Sequence, residues 1–298
     1  MPRKILGVIP ARFASSRFPG KVLAQIASKS MLQRVYERAS LARYLTATLI
    51  ATDDERVYDA ARSFGARVVM TRADHVSGTD RVAEAASGEN AELVVNIQGD
   101  EPLIDPAAID AAILPLAHDP GIVMGTLKKA IEDPREMADA NVVKVVTDRH
   151  GDAIYFSRCP IPYVRDGLVG RSPGPGVPSG DDARVPLPDA EAGASARARA
   201  PAPHHLAGDV GLSERDVHFK HIGLYVYRRD FLLGYSALPV GPLERAERLE
   251  QLRALENGYR IRVVETECES LGVDTPEDLE RVCRLFEDPI AREVKQYG

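Results

Sequence analysis

An apolar stretch from Ile5 to Pro10 runs into Ala11-Arg12-Phe13-Ala14-Ser15-Ser16-Arg17-Phe18-Pro19-Gly20-Lys21, which sets three cations and two serines in one short loop. Guanidinium and ammonium groups neutralise phosphate oxygens, and Gly20 could bring a backbone N–H close to them, so the loop reads as a triphosphate cradle. It has neither the glycine spacing of a dinucleotide fingerprint nor the Gly-Lys-Ser/Thr of a Walker loop. The plain alternative is a solvated basic loop, which suits one isolated cation better than Arg12, Arg17 and Lys21 together. A second apolar run, Leu93 to Ile97, leads into Gln98-Gly99-Asp100-Glu101-Pro102, and Asp274 follows Leu271-Gly272-Val273. Acids at the ends of buried strands are where α/β enzymes place ligands for a hard cation, and two could hold magnesium against phosphate oxygens. Each acid alone could equally be a helix cap or turn former. The stretch Thr71-Arg72-Ala73-Asp74-His75-Val76-Ser77-Gly78-Thr79-Asp80-Arg81 gathers groups able to read a base or ribose edge; a capped loop before a helix is the other reading.

The elements that must position these residues follow from periodicity. Runs rich in Val and Ile predict strands at 4–10, 47–52, 67–71, 92–97, 122–127, 142–147, 153–157, 219–227 and 261–265. Amphipathic stretches between them predict helices at 30–43, 54–64, 78–87, 106–117, 245–257 and 275–286. Leu249, Leu252 and Leu255 with Ala246 form the apolar stripe of the fifth, and Thr275-Pro276-Glu277-Asp278 reads as the capped start of the sixth. Alternating strands and helices imply an α/β fold with a mainly parallel sheet covered by helices, and a site beyond the strands' carboxyl ends.

The chain has 298 residues, 44% hydrophobic and 28% charged, which excludes collagen-like, coiled-coil and wholly disordered architectures. With 38 Lys and Arg against 44 Asp and Glu, the net charge of −6 argues against nucleic acid or an anionic membrane as a partner held by bulk charge. Any anionic substrate must be met by local cations. No apolar run is long enough to span a membrane, the N-terminal run is broken by Arg12, and three cysteines cannot all pair; a reducing, cytoplasmic setting is expected. Residues 166–216 hold seven of the 21 prolines, eight of the 23 glycines and none of the 17 aromatics. Lacking periodicity and a core, this tract reads as a disordered, inert surface insertion in a single catalytic domain spanning 1–298.

The strings IPARFASSRFPGKVL, MTRADHVSGTDR, VVNIQGDEP, VVKVVTD with AIYFSR, HIGLYVYR, PLERAERLEQLR and GVDTPEDLERV, in this order, resemble the 3-deoxy-manno-octulosonate (KDO) cytidylyltransferases. The resemblance implies a Rossmann-like nucleotidyltransferase, working with Mg2+ as a cytoplasmic homodimer, that moves CMP from CTP to KDO and releases pyrophosphate for lipopolysaccharide inner-core synthesis. It carries Arg12, Ser15, Arg17 and Lys21 over as triphosphate contacts and Arg72, Ser77 and Gly78 as cytidine contacts. Asp100 and Asp274 become the metal-binding acids, catalytic together with Lys21, and Gln98, Arg158, His221, Tyr225, Glu250 and Gln251 line the sugar pocket. Lys220 stands where the family pattern suggests Arg, which keeps charge but loses the bidentate fork. Transfer to 8-amino-KDO or sialic acid is the near alternative. A glycosyltransferase is disfavoured because no Asp-x-Asp occurs, and a nucleotide sensor because it has no need of two acids at the phosphates.

Overall fold

The computed structural model describes residues 4–14, 18–165, 217–269 and 271–287. The tract 166–216, Ser15 and Arg17 lie outside the described residues. In chain order the regular elements are β1 (Ile5–Pro10), a 3-10 turn at Lys21–Leu23, β2 (Gln25–Ile26), β3 (Lys29–Ser30), α1 (Met31–Ala39), β4 (Ala47–Thr52), α2 (Glu55–Ser63), β5 (Val68–Met70), α3 (Gly78–Ser87), β6 (Leu93–Asn96) and α4 (Pro106–His118). They continue with β7 (Met124–Ala130), α5 (Pro134–Ala138), β8 (Lys144–Thr147), β9 (Ala153–Ser157), β10 (Phe219–Arg228), α6 (Arg229–Tyr235), α7 (Pro242–Glu247), α8 (Leu252–Glu256), β11 (Ile261–Glu265) and α9 (Pro276–Glu287).

The main sheet runs β11-β7-β10-β6-β1-β4-β5, with β8 and β9 attached through β10. β1 is parallel to β4 and β6, and β4 to β5, so four carboxyl ends open on one edge. β10 breaks the parallel pattern by pairing antiparallel with both β6 and β7. The apolar sequence of β1 follows from its central place: Ile5 and Ile9 pack on one face with α1, α2 and α4, and Leu6 and Val8 on the other with α3, α6 and α8. Coverage on both faces is what a near-continuous hydrophobic strand requires.

Helix starts obey local chemistry. Ser30, Asp54, Asp105 and Asp133 cap α1, α2, α4 and α5 through their side-chain oxygens. Thr275 caps α9 as the sequence predicts, and it exchanges bonds with Asp278 as a capping box, which the sequence reading did not include. Val282 on α9 packs with Ile26, Met31 and Val273, which docks the last helix against the first hairpin. Burying Val282 contributes roughly 1.5–3 kcal/mol to that docking.

Three departures from the sequence reading have physical causes. The β2–β3 hairpin and helices α5 and α6 are too short to give a period. The single helix expected over 245–257 is two, because Arg248 adopts a left-handed conformation (φ 52°) after α7. Its break turns Glu250 and Gln251 inward, where a continuous helix would expose part of that surface.

Candidate active site

The loop after β1 turns on Gly20, whose φ of 73° lies in the left-handed region that glycine adopts without strain. Its N–H donates to the Phe13 carbonyl at 2.8 Å, so it stabilises the turn and does not point at a phosphate as the sequence suggests. The turn aims Lys21 across the strand ends. Lys21 Nζ donates to Asp100 Oδ2 at 2.6 Å, to Asp274 Oδ1 at 2.9 Å and to the Val273 carbonyl at 3.0 Å. Residues from three distant parts of the chain thus meet at one nitrogen. The Val273 N–H donates to the Asp100 carbonyl at 2.9 Å and so ties the loop before α9 to the loop after β6. Burial works against the charge on Lys21, but Asp100 and Asp274 outweigh it and hold the ammonium pKa above its ordinary value.

Gly99 sets the position of Asp100. A Cβ there would lie 2.8 Å from the Pro10 carbonyl oxygen, a backbone atom that cannot swing away. Gly99→Ala is therefore expected to destabilise the fold by about 1–3 kcal/mol and to slow turnover by displacing Asp100. Denaturant unfolding beside steady-state rates checks both effects.

Arg12 joins two loops. Its Nη2 donates to the His75 carbonyl at 2.8 Å and the Ser77 carbonyl at 3.0 Å, fixing the 71–78 segment against the end of β1. Ser77 caps α3 through a box with Asp80, and its hydroxyl also donates to Glu250 Oε1 at 3.2 Å. Arg72 goes elsewhere: it pairs with Asp74 at 3.2 Å and lines a separate groove of about 680 Å³ with His75, Glu84 and Arg253. Of the other expected nucleotide contacts among the described residues, Ser77 shares this groove with it, while Arg12, Lys21 and Gly78 do not line it.

A second, smaller cavity of about 160 Å³ lies between α3, the ends of β6 and β10, and the α7–α8 break. Four of the residues expected at the sugar, Gln98, Tyr225, Glu250 and Gln251, line it together with Gly78 and Thr79, which the sequence reading placed at the nucleotide, and with Asn96, Tyr227 and Tyr235, which sequence reasoning missed. A polar residue ending the otherwise apolar Leu-Val-Val-Asn strand was the available signal for Asn96, as was same-face spacing from Tyr225 for Tyr227. The register of β10 shifts between Ile222 and Val226; Tyr225 in this stretch lines the cavity, and Gln98 Nε2 donates to the Gly223 carbonyl at 3.0 Å. Glu250 receives the Ser77 and Thr79 hydroxyls on its two oxygens; burial outweighs these bonds and holds its carboxyl above the ordinary range.

Two expected sugar contacts do not line this cavity. Arg158 spends Nε on the Glu247 carbonyl and Nη1 on the Ala140 carbonyl, both at 2.8 Å, while its N–H donates to Glu247 Oε2. His221 sits behind Tyr225, with ring centroids 5.3 Å apart, and its Nε2 bonds Thr126 Oγ1 at 2.9 Å. Burial pushes its imidazole pKa down to about 3, which leaves it neutral near pH 7. Lys220 pairs with Glu136 at 2.7 Å and Glu269 at 3.5 Å.

Among the described residues no group of three His, Cys, Asp or Glu side chains could hold a metal by itself. Two carboxylates reaching one cationic nitrogen nevertheless fit magnesium, a hard ion that is commonly held by one or two carboxylates plus substrate phosphates and water.

Sheet order and site geometry together define an α/β nucleotidyltransferase. A cytidylyltransferase family matches residues 6–261. A 3-deoxy-manno-octulosonate cytidylyltransferase of Solibacter usitatus (strain Ellin6076) is 69% identical over 290 residues, covering 97% of each chain. Another, of Syntrophotalea carbinolica (strain DSM 2380 / NBRC 103641 / GraBd1), is 54% identical over 278 residues, covering 93% of this chain and 96% of the relative. A solved CMP:2-keto-3-deoxy-manno-octonic acid synthetase complexed with CTP matches with a TM-score of 0.78 and 38% identity, over 96% of this chain and all of that one. The chain belongs to the cytidylyltransferase family, among the 3-deoxy-manno-octulosonate cytidylyltransferases.

Proposed function

We propose that this chain transfers CMP from CTP to the anomeric hydroxyl of KDO and releases pyrophosphate, supplying activated KDO for lipopolysaccharide assembly. The carrying observation is the meeting of Lys21, Asp100 and Asp274 at the strand ends, close to a cavity lined by hydrogen-bonding side chains. The names of the relatives, at up to 69% identity, support the same substrates.

In this reading the hydroxyl oxygen of KDO forms a bond to the α-phosphorus while the bond to the β-phosphate oxygen breaks. The hydroxyl proton passes to water, and the electron pair of the broken P–O bond leaves on pyrophosphate. Such a displacement demands alignment and charge neutralisation more than a covalent nucleophile. Lys21, held charged between two acids, supplies a cation to the phosphates, and Arg12 fastens the base-facing segment to the same strand end. Asp100 and Asp274 would hold Mg2+, which when bound would supply charge to the phosphate oxygens and favour ionisation of the attacking hydroxyl. Glu250, Gln251, Gln98 and Tyr225 receive the sugar hydroxyls. The site requires no covalent enzyme intermediate, and Cys159, exposed on the surface, has no part in the reaction.

The reading takes the enzyme as a single catalytic domain, a homodimer and a cytoplasmic protein; among the described residues no helix is long and apolar enough to cross a membrane. A product assay with CTP and each of KDO, 8-amino-KDO and sialic acid tests the acceptor. KDO is expected to give a kcat/KM at least about tenfold above the others, as suits a site that hydrogen-bonds its substrate's polar groups. Sialic acid or the amino sugar as the best acceptor would overturn the KDO reading.

A further inference from the structure

Helix α7 ends on Glu247, whose side chain reaches across to β9. Oε1 accepts from the Ser157 hydroxyl at 2.6 Å and from the Tyr155 hydroxyl at 3.4 Å, while Oε2 accepts from the Arg158 N–H at 3.0 Å. The Glu247 carbonyl accepts in turn from Arg158 Nε at 2.8 Å, so main chain and side chain are both fastened to the end of β9. Burial would raise the Glu247 carboxyl pKa, but these donors, led by the buried Ser157, outweigh it and hold the group below its ordinary range. Glu250 is shifted the other way. One glutamate is an ionised anchor, and the other lines the cavity.

Arg248 lies between them with a φ of 52°, a left-handed backbone that a residue other than glycine keeps only where its surroundings over-determine it. Glu247 is clamped to β9 before it; after it, Leu249 is buried in the core and the Tyr235 hydroxyl donates to the Glu250 carbonyl at 2.8 Å. The unstrained alternative for this chain is one continuous helix, which would redirect Glu250 and Gln251.

We infer that Glu247 is a positioning residue for the acidic sugar: by clamping the end of α7 to β9 it holds the turn that presents Glu250 and Gln251 to the acceptor. The role rests on the KDO reading above and is indirect, because Glu247 does not itself line the cavity. The nucleotide side is held separately, since Arg12 fixes the 71–78 segment through the His75 and Ser77 carbonyls.

The test is steady-state kinetics with CTP and KDO for wild type, Glu247→Ala, Glu247→Gln, Ser157→Ala and the Glu247→Ala/Ser157→Ala double variant, each well below its own Tm. Glu247→Ala is expected to raise the KM for KDO about 10- to 100-fold and to change kcat less than about threefold, because the displaced contacts hold the sugar before and during reaction alike. The KM for CTP should move no more than about threefold, the scale of one ordinary hydrogen bond. Glu247→Gln, which keeps an oxygen for Ser157, and Ser157→Ala should each raise the KM for KDO about three- to tenfold, and they carry the test if the alanine variant does not fold. Adding Ser157→Ala to Glu247→Ala should cost less than about twofold more. A lower Tm with the KM for KDO unchanged, equal rises for KDO and CTP, a loss confined to kcat, or effects of Ser157 and Glu247 that multiply would overturn the inference and leave the KDO reading in place. No turnover of KDO by wild type would overturn that reading and this inference with it.

Discussion

Asp100→Asn is expected to lower kcat by about 100- to 1,000-fold with little change in melting temperature, the scale seen when one charge-stabilising group is removed from a transition state. The substitution is isosteric and leaves an oxygen within reach of Lys21, whose bonds to Asp274 and Val273 persist. What disappears is a negative charge at the strand end, and with it half of the carboxylate pair assigned to magnesium. The rate at saturating CTP should therefore show a much higher magnesium requirement. Lys21 also loses the stronger of the two Coulomb partners that keep its pKa raised. Pyrophosphate release measured across a magnesium titration checks the expectation. Wild-type turnover at ordinary magnesium would remove Asp100 from the mechanism.

The second large effect concerns stability. Arg81 is fully buried, bonds the Thr71 hydroxyl through Nη1 and pairs with Asp53 through Nη2 at 2.8 Å. Arg81→Ala leaves Asp53 without its buried partner and opens space under α3. Breaking such a pair costs about 3–5 kcal/mol, which corresponds to a fall in Tm of roughly 10 °C for a domain of this size. The link to Thr71 adds a functional consequence, because Thr71 begins the segment that Arg12 fixes against β1. The KM for CTP should rise together with the fall in Tm. Calorimetry and CTP kinetics on one preparation check both, and a Tm shift below about 2 °C would contradict the structural role.

The limits of sequence reading show in particular residues. β1, β4 and β6 were legible because a strand buried on both faces must be apolar along its length. The cap of α9 was legible because Thr275 is followed by a proline at the first helical position and by acids in the first turn; the structure adds the bond from the Asp278 N–H to Thr275. The helix expected over 245–257 shows the opposite case. The spacing of three runs from Ala246 to Leu249, Leu252 and Leu255 straight across Arg248, and periodicity cannot register one left-handed residue. Lys21, Asp100 and Asp274 were each legible as strand-end groups suited to phosphate and magnesium, and the family resemblance supported that reading; their meeting at one nitrogen, between residues 253 positions apart, follows from no spacing rule. Resemblance also assigned Arg158 and His221 to the sugar pocket, yet their side chains here serve Glu247, Ala140 and Thr126. Asn96 did leave a signal, a polar residue closing an apolar strand, but the sequence does not say that it is buried at the cavity.

The most direct test of the central claim is the stoichiometry of one reaction: purified protein with CTP, KDO and magnesium, with pyrophosphate and nucleotide-sugar quantified together. The account predicts one pyrophosphate per CMP-KDO formed, and neither product when KDO is omitted. Release of orthophosphate in place of pyrophosphate, or no coupled product from CTP and KDO, would contradict it.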